Sequence, residues 1–164
     1  NKNLEMKRTV ALLMENQSGA LSRVVGLFSQ RGYNIESLIV APTEDPSLSR
    51  LTMTTTGDAK VIEQITKQLN KLIDVVKVLD LGESDHIERE LMLVKFANAS
   101  ITQETIVKLD GEIVFENSEL LNAQFVGSSK DLDQVVKKLE FSNPLEIVRT
   151  GASGISSNLK TLTI

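Results

Sequence analysis

Residues Glu15–Leu38 read Glu-Asn-Gln-Ser-Gly-Ala-Leu-Ser-Arg-Val-Val-Gly-Leu-Phe-Ser-Gln-Arg-Gly-Tyr-Asn-Ile-Glu-Ser-Leu, and this stretch decides the fold. The apolar run Val10–Met14 leads into it as a strand, and the polar segment Asn16–Gly19, here called the elbow, turns the chain before a helical pattern begins. Four apolar residues then share one helix face at spacings of i, i+3, i+4 and i+7: Leu21, Val24, Val25 and Phe28. A second strand is predicted from Asn34 to Val40, where the following Ala41-Pro42 ends it because proline has no backbone donor.

The elbow has the chemistry of an anion site. The first amides of a helix have no partner within the helix and lie at the positive end of its dipole. Gly19 lets a ligand approach the backbone, Ser18 is a suitable N-cap, and Asn16 offers both a donor and an acceptor. Strand termination and helix capping alone explain the same residues, so local chemistry leaves both interpretations open.

A longer similarity favours the ligand-binding interpretation. It runs through Glu15-Asn16, Ser18-Gly19-Ala20-Leu21, Arg23-Val24, Gly26 to Leu38 and Val40-Ala41-Pro42-Thr43. This sequence resembles the opening ACT module of the acetohydroxyacid synthase (acetolactate synthase) small subunit, the regulatory subunit of the first common enzyme of branched-chain amino-acid biosynthesis. A generic ACT module shares only the elbow glycine and the helix pattern, so a match of this length is specific to the small-subunit family.

Composition narrows the classes of function. The net charge is −4 with no block of like charges, which argues against a nucleic-acid partner and against an anionic membrane. The absence of cysteine excludes disulfides, thiolate metal sites and cysteine nucleophiles. No apolar run approaches the ~18 residues of a membrane span, and nothing near the start resembles a secretory signal, so a cytoplasmic protein is predicted. Met6-Lys7-Arg8 is typical of a natural start, and residues 1–5 are therefore left out of the fold prediction.

Hydrophobic patterns predict the order β-α-β-β-α-β twice. The fold class is α+β, with two ferredoxin-like βαββαβ domains, each a four-stranded antiparallel sheet with two helices on one face. The predicted organisation is an N-terminal ACT domain over residues 6–82, a linker over 83–88, a C-terminal ferredoxin-like domain over 89–152 and a flexible tail over 153–164. The second half lacks the elbow motif, because Asn98-Ala99-Ser100 contains no glycine.

Residues for covalent or metal chemistry are missing from the sequence. His86 is the only histidine and lies in the predicted linker, and the acidic residues are scattered over predicted helix faces and turns. Phosphate-loop and dinucleotide-binding glycine spacings are also absent. RNA-recognition modules share the β-α-β-β-α-β order, but the third strand, residues 48–56, has no aromatic side chain on which a base could stack. The sequence therefore predicts no catalytic residue and no metal site.

The apolar second strand is expected to lie at a sheet edge, where it would pair with its copy in a homodimer. Such pairing would bring the elbow of one subunit near the start of the second strand of the other. The resemblance implies that L-valine, the feedback inhibitor, binds in the resulting pocket. It assigns the valine carboxylate to the amides of Gly19, Ala20 and Leu21 beside the Asn16 side chain, and the ammonium to Asn34 and the Ile35 carbonyl of the neighbouring chain.

The resemblance also implies a catalytic large subunit as partner. Thiamine diphosphate, magnesium and FAD would belong to that partner and no cofactor to this chain. This chain would activate the large subunit, and the activation would be lost when valine binds. Two alternatives remain open. One is a free-standing amino-acid sensor or transport module built on the same elbow, and the other is an enzyme in its own right.

Overall fold

The computed structural model describes residues 6–83 and 85–164, which form two compact units. The first contains the chain up to Ile87 together with Ser153–Ile164, and the second is Glu88–Ala152. Both have the ferredoxin-like element order that the hydrophobic patterns predict. Residues 1–5 and Ser84, which belongs to the predicted linker, lie outside the described residues.

The first unit is a four-stranded antiparallel sheet with two helices on one face. Its elements are β1 (Met6–Glu15), α1 (Ala20–Arg31), β2 (Asn34–Pro42), β3 (Leu48–Gly57), α2 (Ala59–Asn70) and β4 (Val75–Asp80). The strand order β2-β3-β1-β4 places β2 at one edge of the sheet. These six elements follow the predicted order.

Strand β2 continues past its predicted end at Val40. It pairs with β3 as far as Pro42, which lies opposite Ser49. The prediction was wrong because a proline lacks only a donor, and a strand at a sheet edge can leave that missing donor on its unpaired side.

The helix-facing core of the first unit is aliphatic and contains a single phenylalanine. Its fully buried side chains include Leu12, Leu51, Met53, Val24, Phe28, Ile62, Ile65 and Leu69. Two of the four residues predicted to face inward from α1 do not: Leu21 is 37% exposed and Val25 is 38% exposed. The buried stripe of α1 instead follows Ala20, Val24 and Phe28, so an apolar side chain is left accessible one residue beyond the start of the helix.

Residues 153–164, predicted as a flexible tail, belong to the first unit. They begin with β9 (Ser153–Ser156), and Leu162 packs with Leu81 on the face of β1 that α1 and α2 leave uncovered. Arg50 Nη2 donates to the Gly154 carbonyl at 2.7 Å, and Lys77 Nζ donates to the Thr161 carbonyl at 2.9 Å. The Gly- and Ser-rich composition suggested mobility, but the few apolar residues of this segment have a sheet face to cover.

The second unit has the same arrangement around its own core. Its elements are β5 (His86–Ala97), which the chain enters from the first unit, then α3 (Gln103–Lys108), β6 (Glu112–Glu116), β7 (Leu120–Gly127), α4 (Ser129–Leu139) and β8 (Glu146–Arg149). The strand order is β6-β7-β5-β8. Ser128 and Asp131 form a reciprocal capping box at the start of α4.

Candidate functional site

The elbow is fixed to the turn between β2 and β3. The Asn16 backbone amide donates to the Ser47 carbonyl at 2.8 Å, and Asn16 Nδ2 donates to the Pro46 carbonyl at 3.0 Å. The Asn16 side chain is nevertheless exposed. One side of this amide therefore holds the bend, and the rest of it remains accessible.

Gly19, and not Ser18, is the N-cap of α1. Gly19 has φ +85° and ψ −12°, a left-handed conformation, and no side chain caps the helix. The predicted role of Ser18 was wrong because the chain turns so sharply here that the cap position itself needs a residue without a Cβ atom. The Ala20 amide donates to the Gln17 carbonyl at 3.2 Å, so one of the three amides predicted to bind a carboxylate already has a partner within the chain.

An ion pair between a half-exposed arginine and a buried aspartate lies beside the elbow. Arg23 Nε and Nη2 both donate to the Asp74 carboxylate, the latter at 3.0 Å, and Asp74 is only 4% exposed. The hydrogen bond between them raises the pKa of Arg23 and lowers the pKa of Asp74, so both groups stay charged. The Asp74 carbonyl also accepts from the Glu15 amide at 2.8 Å, which ties the pair to the end of β1.

The Arg23 guanidinium also covers Gly19. Its Nη1 atom lies 2.9 Å from the position that a Cβ atom on Gly19 would occupy. Sequence reasoning did not identify Arg23 as a site residue, because Asp74, which orients it, lies 51 residues away in the chain. The only local signal was a cation in the first turn of a helix, where a cation opposes the dipole and needs a reason to be present.

Asn34 and Ile35 lie at the opposite end of the same sheet. Asn34 pairs with Thr56 of β3, whereas Glu15, which precedes the elbow, pairs with Leu48. The two ends are separated by the length of β3, about 26 Å at 3.3 Å per residue. Asn34 Nδ2 makes a long contact of 3.4 Å with Thr56 Oγ1, and the pairing of β2 with β3 is irregular just after Ile35. One chain therefore does not bring the six predicted effector residues together.

Over residues 6–83 and 85–164, no group of three or more His, Asp or Glu side chains could hold a metal ion. Nor does any helix in this part of the chain have the length and apolar character to cross a membrane. His86, predicted to lie in a linker, is instead the first residue of β5 and is partly buried.

Comparisons with known proteins agree with the fold. The family "AHAS small subunit-like ACT domain" matches residues 10–77, and the family "Small subunit of acetolactate synthase" matches residues 89–158. The chain is 48% identical over 162 residues to "Acetolactate synthase isozyme 3 small subunit" of Salmonella typhimurium, covering 96% of this chain and 99% of that protein. It is 47% identical over 162 residues to "Acetolactate synthase small subunit" of Haemophilus influenzae, with the same coverage of 96% and 99%. The crystal structure of the Thermotoga maritima acetolactate synthase small subunit superposes with a TM-score of 0.82 at 34% identity, over 92% of this chain and 96% of that one.

Proposed function

Because the chain belongs to the family of acetolactate synthase small subunits, we propose that it binds a catalytic large subunit, raises its activity and confers feedback inhibition by L-valine. Thiamine diphosphate, magnesium and FAD would be held by the large subunit, and this chain would supply no catalytic group. As part of a biosynthetic enzyme it would act in the cytoplasm.

The proposal of a homodimer is supported by the distance between the two halves of the predicted site, the elbow and the start of β2, which lie at opposite ends of one sheet. Strand β2 is an edge strand, and its free backbone groups can pair with the β2 strand of a second copy. Under a two-fold axis the strands run antiparallel, so Asn34 of one copy faces the Pro42 end of the other. The elbow is held at that end through Pro46 and Ser47.

This arrangement suits a small zwitterion with an apolar side chain. Amide donors from the elbow of one protomer would take the carboxylate, while the Asn34 side chain and the Ile35 carbonyl of its partner would take the ammonium. The exposed Leu21 side chain lies beside the elbow and is available to contact the isopropyl group. Because each protomer supplies one half, valine binding and dimer geometry are coupled.

L-valine is expected to raise the melting temperature of the purified protein. At about 100 times its Kd a ligand stabilises the folded state by about 2.7 kcal/mol, which is a shift of about 5–10 °C for a chain of this size. The measurement is a thermal melt followed by circular dichroism, with D-valine at the same concentration as the control. Equal effects of the two enantiomers, or none from L-valine, would contradict the effector proposal.

Addition of the chain to a purified acetolactate synthase large subunit is expected to raise pyruvate turnover, and L-valine is expected to reverse the increase. A free-standing sensor would bind L-valine but neither co-purify with the large subunit nor change its rate. An enzyme in its own right would turn over pyruvate without the large subunit. The three assays together distinguish the proposal from both alternatives.

A mixing experiment tests whether each site is shared between protomers. Gly19→Asp damages the elbow half and Asn34→His damages the β2 half, so neither homodimer has an intact site. After subunit exchange, each mixed dimer combines both changes in one site and leaves the other site intact, which restores valine binding to about a quarter of all sites. Mixing Gly19→Asp with Asn16→Ala, two elbow variants, is the matched control and should restore nothing. If the first mixture also restores nothing, the two halves do not come from different protomers.

A further inference from the structure

We propose that Arg23 is a further effector-binding residue, whose guanidinium donates to the carboxylate of the amino acid held at the elbow. The inference rests on the function proposed above and deepens it, because it adds a side-chain cation to the carboxylate-binding half of the site, which the sequence predicts from backbone amides and the Asn16 side chain.

Donors predicted for the carboxylate are partly used within the chain itself. The Ala20 amide donates to the Gln17 carbonyl, and Asn16 Nδ2 donates to the Pro46 carbonyl. The donors left for a carboxylate are the amides of Gly19 and Leu21 and the second N–H of Asn16 Nδ2, all of them uncharged. An ionised donor at the same bend would add a charge-assisted hydrogen bond, which is stronger than a bond from a neutral donor.

Arg23 has a donor in the required place. Asp74 engages Nε and Nη2, and Nη1, which makes no hydrogen bond to any residue that the structure describes, is the atom that lies over Gly19. The planar guanidinium presents its donors in a fixed fork, so anchoring one edge determines where the other edge points. Arg23 is thus oriented before any ligand arrives, which lowers the entropic cost of binding.

The exposure of the Arg23 side chain favours a role in ligand binding in addition to its ion pair with Asp74. The Asp74 side chain is 5% exposed, whereas the Arg23 side chain is 49% exposed. A purely structural ion pair would use the guanidinium to tie α1 to the residue before β4, and the contact with Asp74 alone would achieve that. The Nη1 atom, which Asp74 does not engage, lies over Gly19, the one position of the bend that has no side chain, where a ligand can approach the backbone closely.

The test compares the binding of L-valine and L-valinamide to the parent protein and to two variants of Arg23. L-valine and L-valinamide share the ammonium and the isopropyl group, but only L-valine has a carboxylate. Arg23→Gln is expected to weaken L-valine binding about tenfold or more, and L-valinamide binding by no more than about twofold, so the preference of the protein for the carboxylate falls. Arg23→Lys, which keeps the charge but loses the fork, should lie between the parent and Arg23→Gln.

Both dissociation constants are measured by isothermal titration calorimetry on the full chain, and each unliganded variant is melted to verify that it is folded. If Arg23→Gln weakens both ligands by the same factor, Arg23 acts only on the fold and the inference is overturned. It is also overturned if the variant binds L-valine as the parent does. If the parent itself fails to bind L-valine, the proposed function is wrong, and this inference falls with it.

Discussion

Replacing Gly19 with aspartate is expected to abolish the stabilisation by L-valine while leaving the protein folded. The new carboxylate would occupy the place of the effector carboxylate, and like charges at contact distance cost several kcal/mol, so the affinity should fall more than about a hundredfold. The position of Arg23 Nη1, 2.9 Å from the Cβ site of Gly19, adds a second cause, because the introduced aspartate could pair with that guanidinium in place of the ligand. The readout is the difference in melting temperature with and without L-valine.

Gly19→Asn is the matched control for this substitution. Asparagine has the shape of aspartate without its charge, and it tolerates the positive φ of +85° at this position better than most residues do. We expect it to retain more valine binding than Gly19→Asp, at a cost in stability of about 1 kcal/mol. Equal losses in the two variants would assign the effect to shape and not to charge. Normal valine binding by Gly19→Asp would show that the elbow is not the effector site.

Periodicity in the sequence was enough to predict the fold. The helix-facing residues of β1 and β3, such as Leu12 and Met53, alternate with residues that face the other way, and each helix carries its own apolar stripe. The edge position predicted for β2 is confirmed by the strand order. What periodicity did not show was the packing of Leu162 on the second face of the sheet, because that packing depends on contacts between distant segments, which leave no local pattern.

The elbow was predicted because its chemistry is local, whereas Arg23 was not predicted. Asn16 and Gly19 lie three positions apart between a predicted strand and a predicted helix, and a glycine at a helix start indicates a special backbone conformation. Ser18 was assigned the cap because serine usually takes that role, and only the φ value of Gly19 shows otherwise. Arg23 acquires its position from Asp74, and no spacing rule connects residues 51 positions apart.

A second long-range ion pair, in the C-terminal unit, was missed for the same reason. Glu90 is 5% exposed and accepts from Arg149 Nε and Nη2, both at 3.0 Å, although 59 residues separate the two. Ser129 Oγ donates to the same carboxylate at 2.8 Å and the Gly151 amide donates at 3.2 Å. Burial by itself would raise the pKa of Glu90, but the hydrogen bonds from Arg149, Ser129 and Gly151 outweigh it and hold the pKa below its usual value.

Arg149→Met is expected to destabilise the C-terminal unit by about 3 kcal/mol at neutral pH, because it leaves a buried carboxylate without its counter-charge. The matched control is Glu146→Gln, which breaks the exposed pair of Glu146 with Lys95 between the same two strands. That change should cost less than about 1 kcal/mol, since solvent screens an exposed pair. Urea unfolding gives both values, and equal losses would show that burial of the Glu90 pair contributes nothing.

The pH dependence of the stability of Arg149→Met shows whether the loss is caused by the unpaired charge of Glu90. In the parent the folded-state pKa of Glu90 lies below its usual value of 4.5, so its contribution to stability is complete above that value and is lost as the pH falls through the lowered pKa. Without Arg149, burial of Glu90 is opposed only by the hydrogen bonds from Ser129 and Gly151, so its folded-state pKa is higher than in the parent and the carboxylate contributes less to stability at neutral pH. The stability difference between the parent and Arg149→Met should therefore narrow as the pH is lowered through the range in which the carboxyl group becomes protonated. Adding Glu90→Gln to Arg149→Met removes the titrating group, so the double variant should recover part of the stability lost at neutral pH. A loss due only to packing of the arginine side chain would respond neither to pH nor to the second substitution.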